Sequence, residues 1–138
     1  MKTVKPETNT DTQISEQVAV FNQNEFALLL GMQVCEARDG YAKVVMDCAG
    51  KCNPHGFVHG GAIFSLADHA FGIASNCSGI SHVAVSVNIQ YIAPAKGPLV
   101  AIAERIADTG TCDIFRVTIY EGSRIIAVFD GTAFCNST

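Results

Sequence analysis

The chain has 138 residues, 49% of them hydrophobic and 16% charged, with a net charge of −4. That length fits one domain with a substantial core, and so little charge implies that part of the surface is covered by another subunit. The acidic balance argues against nucleic acid held by bulk electrostatics, and no apolar run reaches the ~18 residues needed to span a bilayer.

Residues 1–12 are polar, with Pro6 and several Thr and Asn, and read as a disordered tail ahead of a single domain over 13–138. They contain no apolar stretch of the kind a secretory signal needs. The six cysteines (Cys35, Cys48, Cys52, Cys77, Cys112, Cys135) are scattered, so they are expected to be reduced and the location cytosolic. From Ile14 to Leu30, Val18, Phe21, Phe26, Leu29 and Leu30 recur at helix spacing, with a break near Asn22–Asn24 and an end at Gly31. Met32–Ala37 and Tyr41–Cys48 read as strands joined by the turn Arg38-Asp39-Gly40.

Asn53 to Asn76 reads NPHGFVHGGAIFSLADHAFGIASN. It opens as a turn-rich loop and becomes the longest helix of the chain, expected over Ala62–Asn76 with Gly79 as the stop. Ile63, Ala67, Ala70 and Ala74 share one side, widened by Phe64, Leu66, Phe71 and Ile73. Gly61, Ser65, Asp68, Gly72 and Ser75 form a second stripe of small residues with one carboxylate in it. The helix therefore reads as buried nearly all round, with its narrow small-residue stripe against another surface. A lone carboxylate in such a place is costly unless paired or used. The glycine-rich entry presents backbone N–H groups at the positive end of the helix dipole, where an anion or a developing oxyanion is stabilised.

After Gly79 the pattern is strand to the end: His82–Ile92, Leu99–Ala107, Cys112–Tyr120 and Ile125–Phe134. Breaks fall at Pro94-Ala95-Lys96-Gly97-Pro98, Asp108-Thr109-Gly110 and Glu121-Gly122-Ser123. In the first of these strands Val83, Val85, Val87, Ile89 and Tyr91 alternate onto one face. The order predicts an α+β fold, an antiparallel curved sheet wrapped around one long central helix.

Asn53, His59-Gly60-Gly61, Phe64, Leu66-Ala67-Asp68 and Ala70-Phe71 resemble the signature of the hotdog-fold acyl-CoA thioesterases, in the phenylacetyl-CoA thioesterase-like (PaaI) group. Ser86-Val87-Asn88-Ile89-Gln90-Tyr91, Pro94-Ala95-Lys96-Gly97 and Asp108-Thr109-Gly110-Thr111 are similar to later parts of the same signature. The resemblance implies hydrolysis of an acyl- or aryl-acyl-CoA by an obligate homodimer, commonly a homotetramer, without metal or redox cofactor, coenzyme A being part of the substrate. It implies that the Gly60 N–H polarises the thioester carbonyl and that Asp68 is general base or nucleophile. Asn53 and His59 would orient the site and Ser86 would position the attacking water. Gly61, Pro94, Lys96, Gly97, Gly110 and Thr111 would lie against substrate, the last five near coenzyme A. Pro98 departs from the polar residue common in relatives.

Gly60 and Asp68 are eight residues apart, about 12 Å along a helix. If both act on one carbon, Asp68 must come from a second, antiparallel copy of the helix; otherwise Asp68 is a structural carboxylate bonded to backbone. Cys52, His55 and His59 suggest a metal, but C-x2-H-x3-H is not a usual zinc spacing. Lys96, Arg105, Arg116 and Arg124 are candidate phosphate contacts. Two rivals stand beside hydrolysis: a hydroxyacyl-thioester dehydratase, which usually needs a catalytic histidine with a helix glutamate, and a non-catalytic acyl-CoA-binding module.

Overall fold

The computed structural model describes residues 18–136. The tail expected over 1–12 and the start of the helical segment expected from Ile14 lie outside them. Residues 18–22 are helical, and the chain then breaks where two asparagines take backbone partners. The Asn22 side chain accepts from the N–H of Val34 at 2.7 Å and donates to its carbonyl at 3.3 Å. Asn24 caps α1 (Glu25–Leu30) by accepting from the N–H groups of Phe26 and Ala27, the usual role of asparagine at a helix start. Gly31, at φ 67°, ends α1 in a left-handed conformation that suits glycine. Ala27 is the buried residue of α1, while Phe26, Leu28 and Leu29 are exposed.

Six strands lie within two residues of their expected bounds: β1 (Met32–Arg38), β2 (Tyr41–Met46), β3 (His82–Tyr91), β4 (Leu99–Asp108), β5 (Cys112–Glu121) and β6 (Arg124–Cys135). β2 stops short of Cys48, ahead of a turn at Ala49–Gly50 in which the Lys51 N–H donates to the Cys48 carbonyl at 3.2 Å and the Lys51 ammonium donates to the Asp47 carboxylate at 2.5 Å. All six pair antiparallel in the order β1-β2-β4-β5-β6-β3. Irregular pairing in β1, β3, β4 and β6 supplies the local bends by which the sheet curves around α2 (Gly60–Asn76). The expected architecture is the one observed.

The position of α2 is set by contacts at its end and its middle. Near its C-terminus the Ala74 carbonyl accepts from the N–H of Gly40 at 3.1 Å, so the β1–β2 turn satisfies a helix carbonyl that would otherwise lack a partner. Arg105 braces that turn, bonding Asp39 at 2.7 Å and the buried Asp113 at 2.8 Å. In the middle, Phe71 packs on Phe115 and Phe129 with ring centroids 5.5 and 5.7 Å apart. A fully buried side chain of this size contributes roughly 1.5–3 kcal/mol.

Two expectations need correction. In the single chain the helix is not buried all round: Gly61 and Asp68 are exposed and Ser65 and Gly72 half-buried, and of the small-residue stripe Ser75 alone is buried. Nor do the five alternating residues of β3 share a face. Ala84 pairs with Ala133 and Ser86 with Thr132, leaving Val85 as an extra residue. That bulge moves Val83, opposite Phe134, to the outer face. Val87, Ile89 and Tyr91 face inward beside Gly131, Phe129 and Ala127. β3 is an edge strand, and its side chains stay largely uncovered, Val85 at 59% and Tyr91 at 53% exposure.

Gly131 lets the sheet approach the helix closely. A Cβ there would lie 2.9 Å from two ring carbons of Phe71 and 3.1 Å from Phe129, and neither buried ring has room to move away. Gly131→Ala should therefore destabilise the fold by about 1–3 kcal/mol. In thermal unfolding this is a fall in Tm of several degrees; an unchanged Tm would show that the helix–sheet contact is looser than described.

Candidate active site

The loop between β2 and α2 is shaped by Asn53. Its side-chain oxygen accepts from the N–H groups of His55 and Phe57 at 2.9 and 3.1 Å, and its own N–H donates to the Phe57 carbonyl at 2.7 Å. This Asx-type turn leaves the Asn53 amide nitrogen without an acceptor among the described residues. Cys52 and Val58 pair as an isolated bridge, and the Val58 N–H donates to the Ala95 carbonyl at 2.8 Å. The loop is thereby fastened to the Pro94–Pro98 segment, Ala95 lying 37 residues beyond Val58 in the chain.

His59 is the N-cap of α2. It has extended backbone, and its Nδ1 accepts from the Gly61 N–H at 2.8 Å. An Nδ1 that accepts assigns the proton of the neutral ring to Nε2. This cap explains why α2 starts at Gly60 and not at Ala62: a histidine acts where serine, threonine or asparagine usually would. The His59 N–H donates to Lys51, and the His59 carbonyl accepts from Ala62 and Ile63 at 2.9 and 3.2 Å. Of the first-turn donors, the Gly60 N–H alone has no acceptor among the described residues.

Gly60 opens on a cleft of about 290 Å³ lined by Asn53, Phe57, Ile63, Tyr91, Ile92 and Pro94 among others. Three expected site residues, Asn53, Gly60 and Pro94, thus meet in one place. The Tyr91 hydroxyl donates to the Gly60 carbonyl at 3.0 Å. His59 and Gly61 border a neighbouring cleft with Phe26, Cys52 and Ser65. Among the described residues no group of three or more His, Cys, Asp or Glu is placed to hold a metal ion.

Asp68 lies in a third cleft, of about 390 Å³, with Phe21, Asn24, Phe26, Ser65 and His69. It makes no hydrogen bond or ion pair with the described residues, which disfavours the backbone-bonded structural carboxylate. Its side chain is open on one side, yet partial burial pushes its pKa above the ordinary 3.8. Burial lowers the pKa of the adjacent His69, and its Nε2 has no partner among the described residues.

Other expected residues lie elsewhere. Ser86, paired with Thr132, is on the outer face of the sheet, alternating with the inward Val87. It is therefore turned away from α2 and from the Gly60 cleft of its own chain. Gly110 and Thr111 sit in the β4–β5 turn, at the opposite end of the 10-residue β4 from Pro94–Gly97, roughly 30 Å away at strand rise. The backbone N–H groups of Lys96 and Gly97 are already occupied by Glu121. Those bonds, Gly97 foremost, with Arg124 beside them, pull the Glu121 carboxyl down to about 2. What Lys96 still offers is its ammonium, 5.1 Å above the Phe57 ring at the wall of the cleft. Arg105, Arg116 and Arg124 are all paired with carboxylates.

Sequence reasoning gave no role to Phe57, Tyr91 or Glu121. For Tyr91 a signal existed: an aromatic at the last strand position before the Pro94 turn, in register with the inward Ile89. Glu121 reaches back 25 residues to Lys96, and no local pattern marks such a bond.

Residues 55–111 match the model of the thioesterase superfamily. The acyl-coenzyme A thioesterase PaaI of Escherichia coli is 33% identical over 119 residues, covering 82% of this chain and 84% of that protein. A solved structure of the E. coli PaaI protein of the phenylacetic acid degradation operon aligns with a TM-score of 0.85 over 94% of this chain and 97% of its own, at 26% identity. A mutant structure of the phenylacetic acid degradation protein PaaI from Thermus thermophilus aligns with a TM-score of 0.77 at 31% identity, over 81% and 99%. With the fold and this likeness together, the chain belongs to the thioesterase superfamily, in the PaaI-like group of hotdog-fold acyl-CoA thioesterases, and is a thioester hydrolase.

Proposed function

We propose that the protein is a cytoplasmic acyl-CoA thioesterase that hydrolyses an acyl- or aryl-acyl-CoA in sites shared between two chains of a homodimer, itself assembling as a dimer of dimers. The observation that carries this reading is the Gly60 N–H, left without an acceptor among the described residues at the positive end of α2 and opening on an apolar cleft. Such a donor stabilises charge that develops on a carbonyl oxygen. The amide nitrogen of Asn53, on the same cleft, serves as a second donor. Asp68 is about 12 Å away along the same helix and borders a different cleft, so the carboxylate at each Gly60 comes from the partner. The bare edge and inward apolar side chains of β3, with the open small-residue stripe of α2, are the surfaces that a second copy would cover.

In the reaction, water attacks the thioester carbon while the partner's Asp68 takes its proton. Negative charge passes to the carbonyl oxygen, held by the Gly60 N–H. Collapse breaks the carbon–sulfur bond; the thiolate of coenzyme A leaves and recovers the proton from the Asp68 carboxyl. The route calls on no metal or redox cofactor. Lys96, over Phe57, offers a cation to the phosphates of coenzyme A.

Asp68→Asn should leave the oligomer intact and lower thiol release by about 10²–10⁴-fold; undiminished turnover would remove Asp68 from the mechanism. Gly60→Pro deletes the donor N–H at the first helical position, where proline is tolerated, and should lower kcat by about 10²–10³-fold. Mixing Asp68→Asn and Gly60→Pro chains should restore activity, since each mixed dimer has one intact shared site; no recovery in mixed dimers would show that each site lies within one chain. Because Asp68 must be ionised to act and its pKa is raised, kcat/KM should fall as pH drops through a midpoint above 3.8. A pH–rate profile flat down to that value would exclude Asp68 as the base. A thiol-release screen over short, medium, long and aromatic acyl-CoAs should identify the acyl class.

A further inference from the structure

The start of α2 consists of two peptide units that share the Gly60 Cα. The first joins His59 to Gly60 and carries the unoccupied N–H; its carbonyl accepts from Ala62 and Ile63. The second joins Gly60 to Gly61 and is gripped at both ends. Its N–H donates to His59 Nδ1 at 2.8 Å, and its carbonyl accepts from the Tyr91 hydroxyl at 3.0 Å. Glycine has the widest backbone freedom of any residue, so its neighbours set the direction of the Gly60 N–H. The Tyr91 ring also backs the residue: a Cβ on Gly60 would meet ring Cζ at 3.3 Å and Cε1 at 3.5 Å. Among the described residues, Tyr91 is the one sheet side chain that bonds to this turn.

We propose that Tyr91 is a positioning residue for hydrolysis: its hydroxyl fixes the Gly60–Gly61 peptide and thereby aims the Gly60 N–H into the cleft at the substrate carbonyl. This rests on the reading of Gly60 given above. Tyr91 touches the peptide that follows the donor's, across the Gly60 Cα, and not the reacting carbon, so its effect passes through preorganisation. It stands at the end of β3, the bare edge strand, so the same strand that would meet a second copy also sets the aim of the donor.

Tyr91→Phe removes only the hydroxyl from a side chain that is 53% exposed, and the fold should keep its Tm. The expected result is a fall in kcat of about tenfold, with KM for an acyl-CoA within about twofold, a split that a structural defect would not give. The direct readout is the carbonyl resonance of a bound acyl-CoA analogue that carries CH2 in place of sulfur and 13C at the ketone. In the unaltered protein it should move downfield from its free position, and in Tyr91→Phe it should return most of the way at nearly unchanged affinity. Gly60→Pro should abolish the displacement. A displaced resonance that Tyr91→Phe does not move, whatever happens to kcat, overturns the role of Tyr91 and leaves the reading of Gly60 standing. A resonance undisplaced in the unaltered protein overturns the reading of Gly60 and this inference with it.

Discussion

A helix must begin somewhere, and its first N–H groups have no partners within the helix. In α2 almost every one of these has been found an acceptor: Lys51 for His59, the His59 ring for Gly61, the His59 carbonyl for Ala62 and Ile63. Gly60 is the exception among the described residues. A lone unsatisfied donor at the positive end of a 17-residue helix is costly if it stays dry. It is useful where a substrate oxygen gains charge during reaction. The surrounding loop is consistent with that use, since Asn53 engages its oxygen in the loop and keeps its amide nitrogen for the cleft.

The same helix carries the carboxylate, and here geometry decides. A straight helix cannot bring its own ninth residue back to its first. The small side chains on the same stripe, Gly61, Ser65 and Gly72, leave a shallow face against which another helix can lie close. The partial burial that raises the Asp68 pKa is compensated by no hydrogen bond among the described residues, an arrangement that favours a base over a brace. The distant placement of Gly110–Thr111 from Pro94–Gly97 follows the same logic. In one chain they stand at opposite ends of β4, and in the proposed dimer an antiparallel second copy joined at β3 would bring one chain's turn towards the other's.

Much of this was legible in the order of residues. The helix-period run of Ile63, Ala67, Ala70 and Ala74, the turn glycines and the strand alternation suffice for an antiparallel sheet around one helix, and the strand bounds follow from Gly, Pro and Asp breaks. What escaped has specific physical causes. The start of α2 came two residues early because histidine is an unusual cap, its ring nitrogen serving where a hydroxyl would. Val83 takes the outer face because a single bulged residue, Val85, interrupts a period of two, and alternation alone cannot reveal a bulge. Phe26 and Leu29 have helical spacing, yet the six-residue α1 is fastened by Asn24 and Ala27, leaving them in the open. The clamp of Glu121 on Lys96 and Gly97 spans chain distances at which local patterns carry no information.

That clamp bears on how the cleft works. An exposed loop of Pro94–Pro98 could be expected to flex, but both of its central N–H groups are occupied by Glu121, the thiol of Cys48 donates to its Gly97 carbonyl, and Ala95 holds Val58 of the facing loop. The Arg124 guanidinium ties Glu121 to the Pro94 carbonyl. The carboxylate takes the place in this loop that an external anion would otherwise fill, so a phosphate can meet the Lys96 side chain but not these backbone groups. Both walls of the Gly60 cleft are thus cross-linked by backbone bonds, and Tyr91 ties them to the helix start. A cleft so fixed has little need of a closing lid, and the part of the proposed site that must still arrive is the carboxylate on the facing helix of a second chain.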